Sequence, residues 1–154
     1  MKITVIGVGS LKEKYLKDAI AEYKKRITRF ADIEIVEIPD ESNSKDEKSV
    51  KKIEGERILK KIPDSSYAIF CDLKGKMLDS VEFANKILDV CSYNSSHITF
   101  VIGGSLGFSE EALKRADFKI CFSKMTFPHQ LMRVILLEQI YRAFKINNNE
   151  SYHK

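Results

Sequence analysis

Short apolar runs alternate along this chain with stretches whose apolar residues recur every three or four positions. Lys2–Val8 (KITVIGV), Ile33–Ile38 (IEIVEI), Tyr67–Cys71 (YAIFC), His97–Ile102 (HITFVI) and Phe118–Phe122 (FKICF) are rich in β-branched and aromatic residues. Gly, Pro or polar clusters bound them, so they read as strands. Ser10 with Glu13 reads as a capping box for a helix to about Phe30, with Leu11, Tyr15, Leu16, Ala19, Ile20, Tyr23 and Ile27 on its apolar face. A second helix is predicted from about Asp46 to Ile62, with Val50, Ile53, Ile58, Leu59 and Ile62 inward and Pro63 beyond its end. A third runs from the capping pair Asp79/Glu82 to about Cys91, with Phe83, Ile87 and Leu88 inward, and a fourth from Ser109 to about Ala116. The polar stretch Asp40–Lys48 is expected to be a mobile surface loop.

Pro128 opens a last helix, to Ile146, that is apolar almost all round. Such a helix must be covered on more than one side, which predicts a homodimer packed through it. Five strand–helix alternations predict an α/β fold, a mainly parallel sheet with helices on both faces, in one domain spanning residues 1–154.

Composition narrows the classes. No apolar run approaches the eighteen or so residues of a membrane span, and the amino terminus lacks the pattern of a cleaved signal, so a cytoplasmic protein with no membrane partner is expected. Cys71, Cys91 and Cys121 are an odd number without metal-ligand spacing, so neither a disulfide framework nor a metal site is expected. Net charge is +4, but Lys114–Lys154 carries eight Lys or Arg against three Asp or Glu, so the excess lies in the last third. That suits a polyanionic substrate, and equally a solvated face.

Ligands of open α/β sheets bind outside the carboxyl ends of the strands. Two loops there stand out. GGSLG, from Gly103, lacks the dinucleotide spacing and reads either as a cradle for a ligand or as a sharp turn before a helix. Ser123–His129 (SKMTFPH) reads either as a pocket for a flat heterocycle, with Met125 or Phe127 against it, or as an entry to the last helix capped by Ser123 or Thr126. His129 is a general base or a helix-start residue. The tail Asn147–Lys154 is either frayed or, through Tyr152, His153 and Lys154 together with Arg133 and Arg142, a contact surface for RNA.

FVIGGSLGFS, then SKMTFPHQLMRVILLEQIYRAFKI, then the terminal YHK closely resemble the bacterial ribosomal RNA large-subunit methyltransferase H family, small SPOUT-class enzymes that methylate N3 of a pseudouridine in 23S rRNA. The opening KITVIGVG, Glu22 and Tyr23, Glu37–Pro39, and Gly75 with Lys76 extend the similarity over the whole chain. The resemblance implies a carboxyl-terminal trefoil knot, a homodimer through the knot region, and the assembled 70S ribosome as substrate. It implies S-adenosyl-L-methionine as methyl donor, held by Cys71, Asp72 and Leu73, by Gly103 and Gly104 with the turn that follows, and by Ser123, Lys124, Met125, Thr126, Phe127 and Pro128. His129, Arg142, Tyr152 and His153 are then the candidates for positioning the substrate or taking its proton. Two rival classes are a flavodoxin-type nucleotide-binding module and an RNA-binding protein without catalysis.

Overall fold

Strand β1 (Lys2–Val8) is buried from Ile3 onward, because it lies between two parallel neighbours with helices over both faces. The computed structural model describes residues 1–41 and 46–154, so the centre of the predicted mobile loop Asp40–Lys48 lies outside the described residues. The elements follow as α1 (Lys14–Ile27), β2 (Asp32–Ile38), α2 (Glu47–Lys61), β3 (Tyr67–Met77), α3 (Ser80–Tyr93), β4 (His97–Ile102), α4 (Glu110–Lys114), β5 (Phe118–Cys121) and α5 (His129–Asn147). The sheet is parallel throughout in the order β2-β1-β4-β3-β5, as the strand–helix alternation predicts.

Two cores form, one on each face. Ile3, Val5, Phe100 and Ile102 pack beneath α1, α3 and α5, whereas Ile6, Val8, Phe70 and Val101 pack beneath α2 and α4. Successive strand side chains point to opposite faces, so a buried parallel strand needs an apolar residue at every step. No helix among the described residues is long and apolar enough to cross a membrane.

Several local expectations fail for identifiable reasons. The Ser10–Glu13 box does not form: the N-cap of α1 is Glu13 and no side chain caps it. Instead the backbone N–H of Leu11 donates to Glu37 at 2.7 Å, so the loop is tied to β2. Tyr15 is 69% exposed, since α1 begins only one residue before it and turns it outward. Leu88, placed inward by its spacing, is 49% exposed on the outer face of α3. Neither Ser123 nor Thr126 caps α5, whose N-cap is Pro128 without a side-chain hydrogen bond. By contrast, Asp79 and Glu82 form the predicted reciprocal box at α3, each accepting the other's backbone N–H at 2.8 Å.

The apolarity of α5 is largely answered within the chain. It lies between α1 and α3 over β4. Phe144 stacks on Phe30 at 5.4 Å, and Asn147 donates to the Ala84 carbonyl at 3.0 Å. Leu136, Leu137, Ile140 and Ala143 are wholly buried, so truncating either leucine to alanine costs about 2–5 kcal/mol. Leu131 remains 40% exposed near the start of the helix.

Candidate functional site

Three adjacent strands, β4, β3 and β5, run in the same direction and release their loops at one end of the sheet. The first loop is not a strand end, as expected, but a bulge. β3 pairs with β5 up to Cys71, leaves the ladder, and rejoins at Lys76, so Asp72–Gly75 stand opposite a single step of β5. Gly75 permits this: a Cβ there would lie 2.6 Å from the backbone carbon of Ile120. The second loop leaves β4 at Gly103 and turns back on itself, with Gly107 at φ +83° and its N–H donating to the Gly104 carbonyl at 3.1 Å. Ser109 then caps α4. The third loop follows β5, where the Ser123 hydroxyl oxygen accepts from the Met125 N–H at 3.0 Å.

These loops enclose a cavity of about 430 Å³. Of the residues expected to hold a cofactor, Cys71, Asp72, Leu73, Gly103, Gly104, Ser123, Met125, Thr126 and Phe127 line it, whereas Lys124 and Pro128 do not. Lys51 of α2, Phe108 and Met132 line it as well. Lys51 had no signal in the sequence, because α2 reaches the cavity only through the fold. Burial, with Cys121 nearby, pushes the Cys71 thiol up to about 12, so it stays neutral and serves as an apolar wall.

His129, the first residue of α5, lines this cavity and also a second one of about 380 Å³ beside it. The other three candidates lie elsewhere. Arg142 is thirteen residues further along α5, about 20 Å at the helical rise. It donates through Nη2 to Glu138 at 2.7 Å, Tyr152 donates to the same carboxylate at 3.1 Å, and Arg142 Nη1 meets His153 Nδ1 at 3.1 Å. The tail is therefore fastened, not frayed. Asn149 at φ 54° reverses the chain after α5, and Glu150 accepts from Lys145 at 2.6 Å and from Arg29.

Electrostatics sort these roles. The hydrogen bond to Glu138 raises the Arg142 pKa, and burial followed by the same carboxylate raises that of Tyr152. Both are hydrogen-bond donors at neutral pH. Arg133 leaves the proposed RNA surface altogether. It is 1% exposed and spans the ends of β1 and β2, donating to the carbonyls of Val8 (2.9 Å) and Gly9 (2.6 Å) and to Glu37 (3.2 Å).

A parallel sheet with a three-loop cavity at its carboxyl edge is the frame of a SPOUT methyltransferase, and a family model described as predicted SPOUT methyltransferase matches residues 1–153. A probable methylase family protein from Haemophilus influenzae superposes with a TM-score of 0.54 at 17% identity, over 99% of this chain and 70% of that one, a likeness of fold. Over the full length of both chains, the sequence is 57% identical to ribosomal RNA large subunit methyltransferase H of Clostridium perfringens and 58% identical to that of Alkaliphilus oremlandii. The chain belongs to the ribosomal RNA large subunit methyltransferase H family.

Proposed function

We propose that this chain, acting as one domain, transfers a methyl group from S-adenosyl-L-methionine to N3 of a pseudouridine in 23S rRNA, in the cytoplasm and on the assembled 70S ribosome. The observation that carries the reading is the cavity built by three loops from neighbouring strands. Its size lies within the range of small-molecule sites, and its walls suit the cofactor. Leu73, Ile120 and Phe127 offer apolar surface for a flat purine, Gly103 and Gly104 expose backbone polar groups, and the neutral Cys71 adds no charge. When bound, the cofactor supplies a methyl group on a positively charged sulfur, an electrophile strong enough for direct transfer.

The protein's own residues align, exclude water and manage one proton. The imide N3 must lose its proton to attack, and His129 and His153 are the groups able to receive it. Arg142 and Tyr152 donate hydrogen bonds to the base or its phosphates. The basic excess of the last third attracts the RNA backbone.

The distance between His129 and the tail cluster favours a homodimer in which the tail of one protomer serves the cavity of its partner. The exposed Leu131, Leu73 and Met125 supply apolar surface for such a contact. A trefoil knot in the carboxyl-terminal half belongs to the same reading.

The test is methyl transfer from labelled S-adenosyl-L-methionine to 70S ribosomes, isolated subunits and naked 23S rRNA, with mass mapping of the product. Label on one pseudouridine of the large subunit, strongest on 70S, is expected. No label on any substrate, with folded protein that binds the cofactor, would overturn the proposal in favour of an RNA-binding role.

A further inference from the structure

The second cavity carries a side chain for which the mechanism above has no use. Glu54, on α2, lines that cavity and is 5% exposed. Its Oε2 accepts the Glu41 N–H at 3.0 Å, while among the described residues nothing donates to Oε1. Although the side chain is buried, Oε1 itself stays open to the cavity, so this acceptor is free to receive a donor from a ligand. Oε1 also lies at the boundary of the two cavities: Gly104 lines both, and a Cβ built on it would be 2.8 Å from Glu54 Oε1. His129 lines both from the other side.

We propose that the second cavity receives the acceptor base and that Glu54 Oε1 accepts a ring N–H from it, making Glu54 the residue that tells pseudouridine from uridine. The inference rests on the reading of the chain as a pseudouridine N3-methyltransferase. Pseudouridine is joined to its sugar through carbon and carries hydrogen on both N1 and N3, whereas the N1 of uridine carries the sugar. The two N–H groups flank one carbonyl and point in diverging directions. With N3 turned to the first cavity, N1–H is left for the second, where a carboxylate with a vacant lone pair is its natural partner. Uridine in the same position offers no donor and leaves Oε1 unsatisfied, which is the stronger form of discrimination.

The experiment compares kcat/KM on ribosomes bearing pseudouridine or uridine at the target, for the wild type and for Glu54→Gln, with cofactor affinity measured in parallel. The glutamine keeps an acceptor for the Glu41 N–H but turns an NH2 toward the base. The wild type is expected to prefer pseudouridine by about 10- to 100-fold, the scale of one hydrogen bond to a charged acceptor. In Glu54→Gln that ratio should collapse toward one while cofactor affinity holds. If Glu54→Gln lowers both rates and keeps the ratio, Glu54 merely anchors the Glu41 turn, and the inference fails while the methyltransferase reading stands. Equal wild-type rates on the two substrates also overturn it. No wild-type transfer to pseudouridine would instead remove the reading on which it rests. Should Glu54→Gln not fold by circular dichroism, Glu54→Asp, which keeps the charge but withdraws it by one methylene, carries the same comparison.

Discussion

Arg133 Nη2 donates to the main-chain carbonyl of Val8 at 2.9 Å, which pins the second turn of α5 to the exit of β1. The guanidinium lies flat against Gly7, where a Cβ would come within 2.5 Å of Nε, and Nε itself has no partner among the described residues. Burial lowers the Arg133 pKa, partly offset by Glu37. The side chain thus holds the wall of the second cavity in place. Arg133→Met should lower stability by about 2–4 kcal/mol, the cost of orphaned buried carbonyls. Urea denaturation measures it; an unchanged midpoint would mean that the carbonyls find water instead.

Gly75→Ala should be among the most damaging single-methyl changes in the chain. The added carbon meets backbone, which cannot swing aside, and overpacking of this kind costs about 1–3 kcal/mol. The bulge that carries Asp72 and Leu73 would shift with it, so S-adenosyl-L-methionine binding, followed by calorimetry, should weaken along with the melting temperature. Full affinity in the variant would show that the bulge does not shape the cavity.

If the tail cluster serves the partner's cavity, two defective proteins should repair each other. Arg142→Ala loses the donor at the tail, and Gly104→Val blocks the cavity. Mixed and allowed to exchange subunits, they should regain activity, since one of the two sites in each mixed dimer is intact. Activity that never rises above that of the separate variants would place both functions within one protomer.

Acid should weaken the fold in part through His97 of β4, whose ring nitrogen shares a 2.9 Å hydrogen bond with Thr4 of the neighbouring β1. Burial first, then Lys2, lowers its pKa from the ordinary 6.5. The unfolded chain therefore binds the proton more readily, so this contribution is complete above about pH 6.5 and is lost as pH falls toward the folded-state value. Urea midpoints between neutral and mildly acidic pH should fall in the wild type and fall less in His97→Gln. Parallel curves would assign the acid sensitivity to other groups.

Cys71 should resist alkylation at pH 8, because a thiol pushed up to about 12 presents almost no thiolate. Mass spectrometry after iodoacetamide treatment reads this directly, and rapid modification of native protein would contradict the neutral, apolar wall assigned to Cys71.

Much of the architecture was legible locally. β4 occupies His97–Ile102 as read from its apolar run, and α2 begins after Asp46, whose side chain accepts the Ser49 N–H at 2.8 Å. Capping and periodicity are settled within one or two turns of chain, so a single sequence carries them. Nine of the eleven residues assigned to the cofactor loops line one cavity, because strand ends converge wherever a parallel sheet forms.

What the sequence determined by itself was the order of strands and helices and the loops around which ligand chemistry gathers, since these follow from short-range patterns. The tertiary structure decided that Arg133 is an internal clamp, that β3 bulges at Asp72–Gly75, that the tail cluster stands a helix length from His129, and that Glu54 reaches the boundary of two cavities. Each depends on partners dozens of residues away, such as Val8 for Arg133, Ile120 for Gly75 and Gly104 for Glu54. No local pattern encodes such a pairing; it exists only once the sheet has brought distant segments within contact of one another.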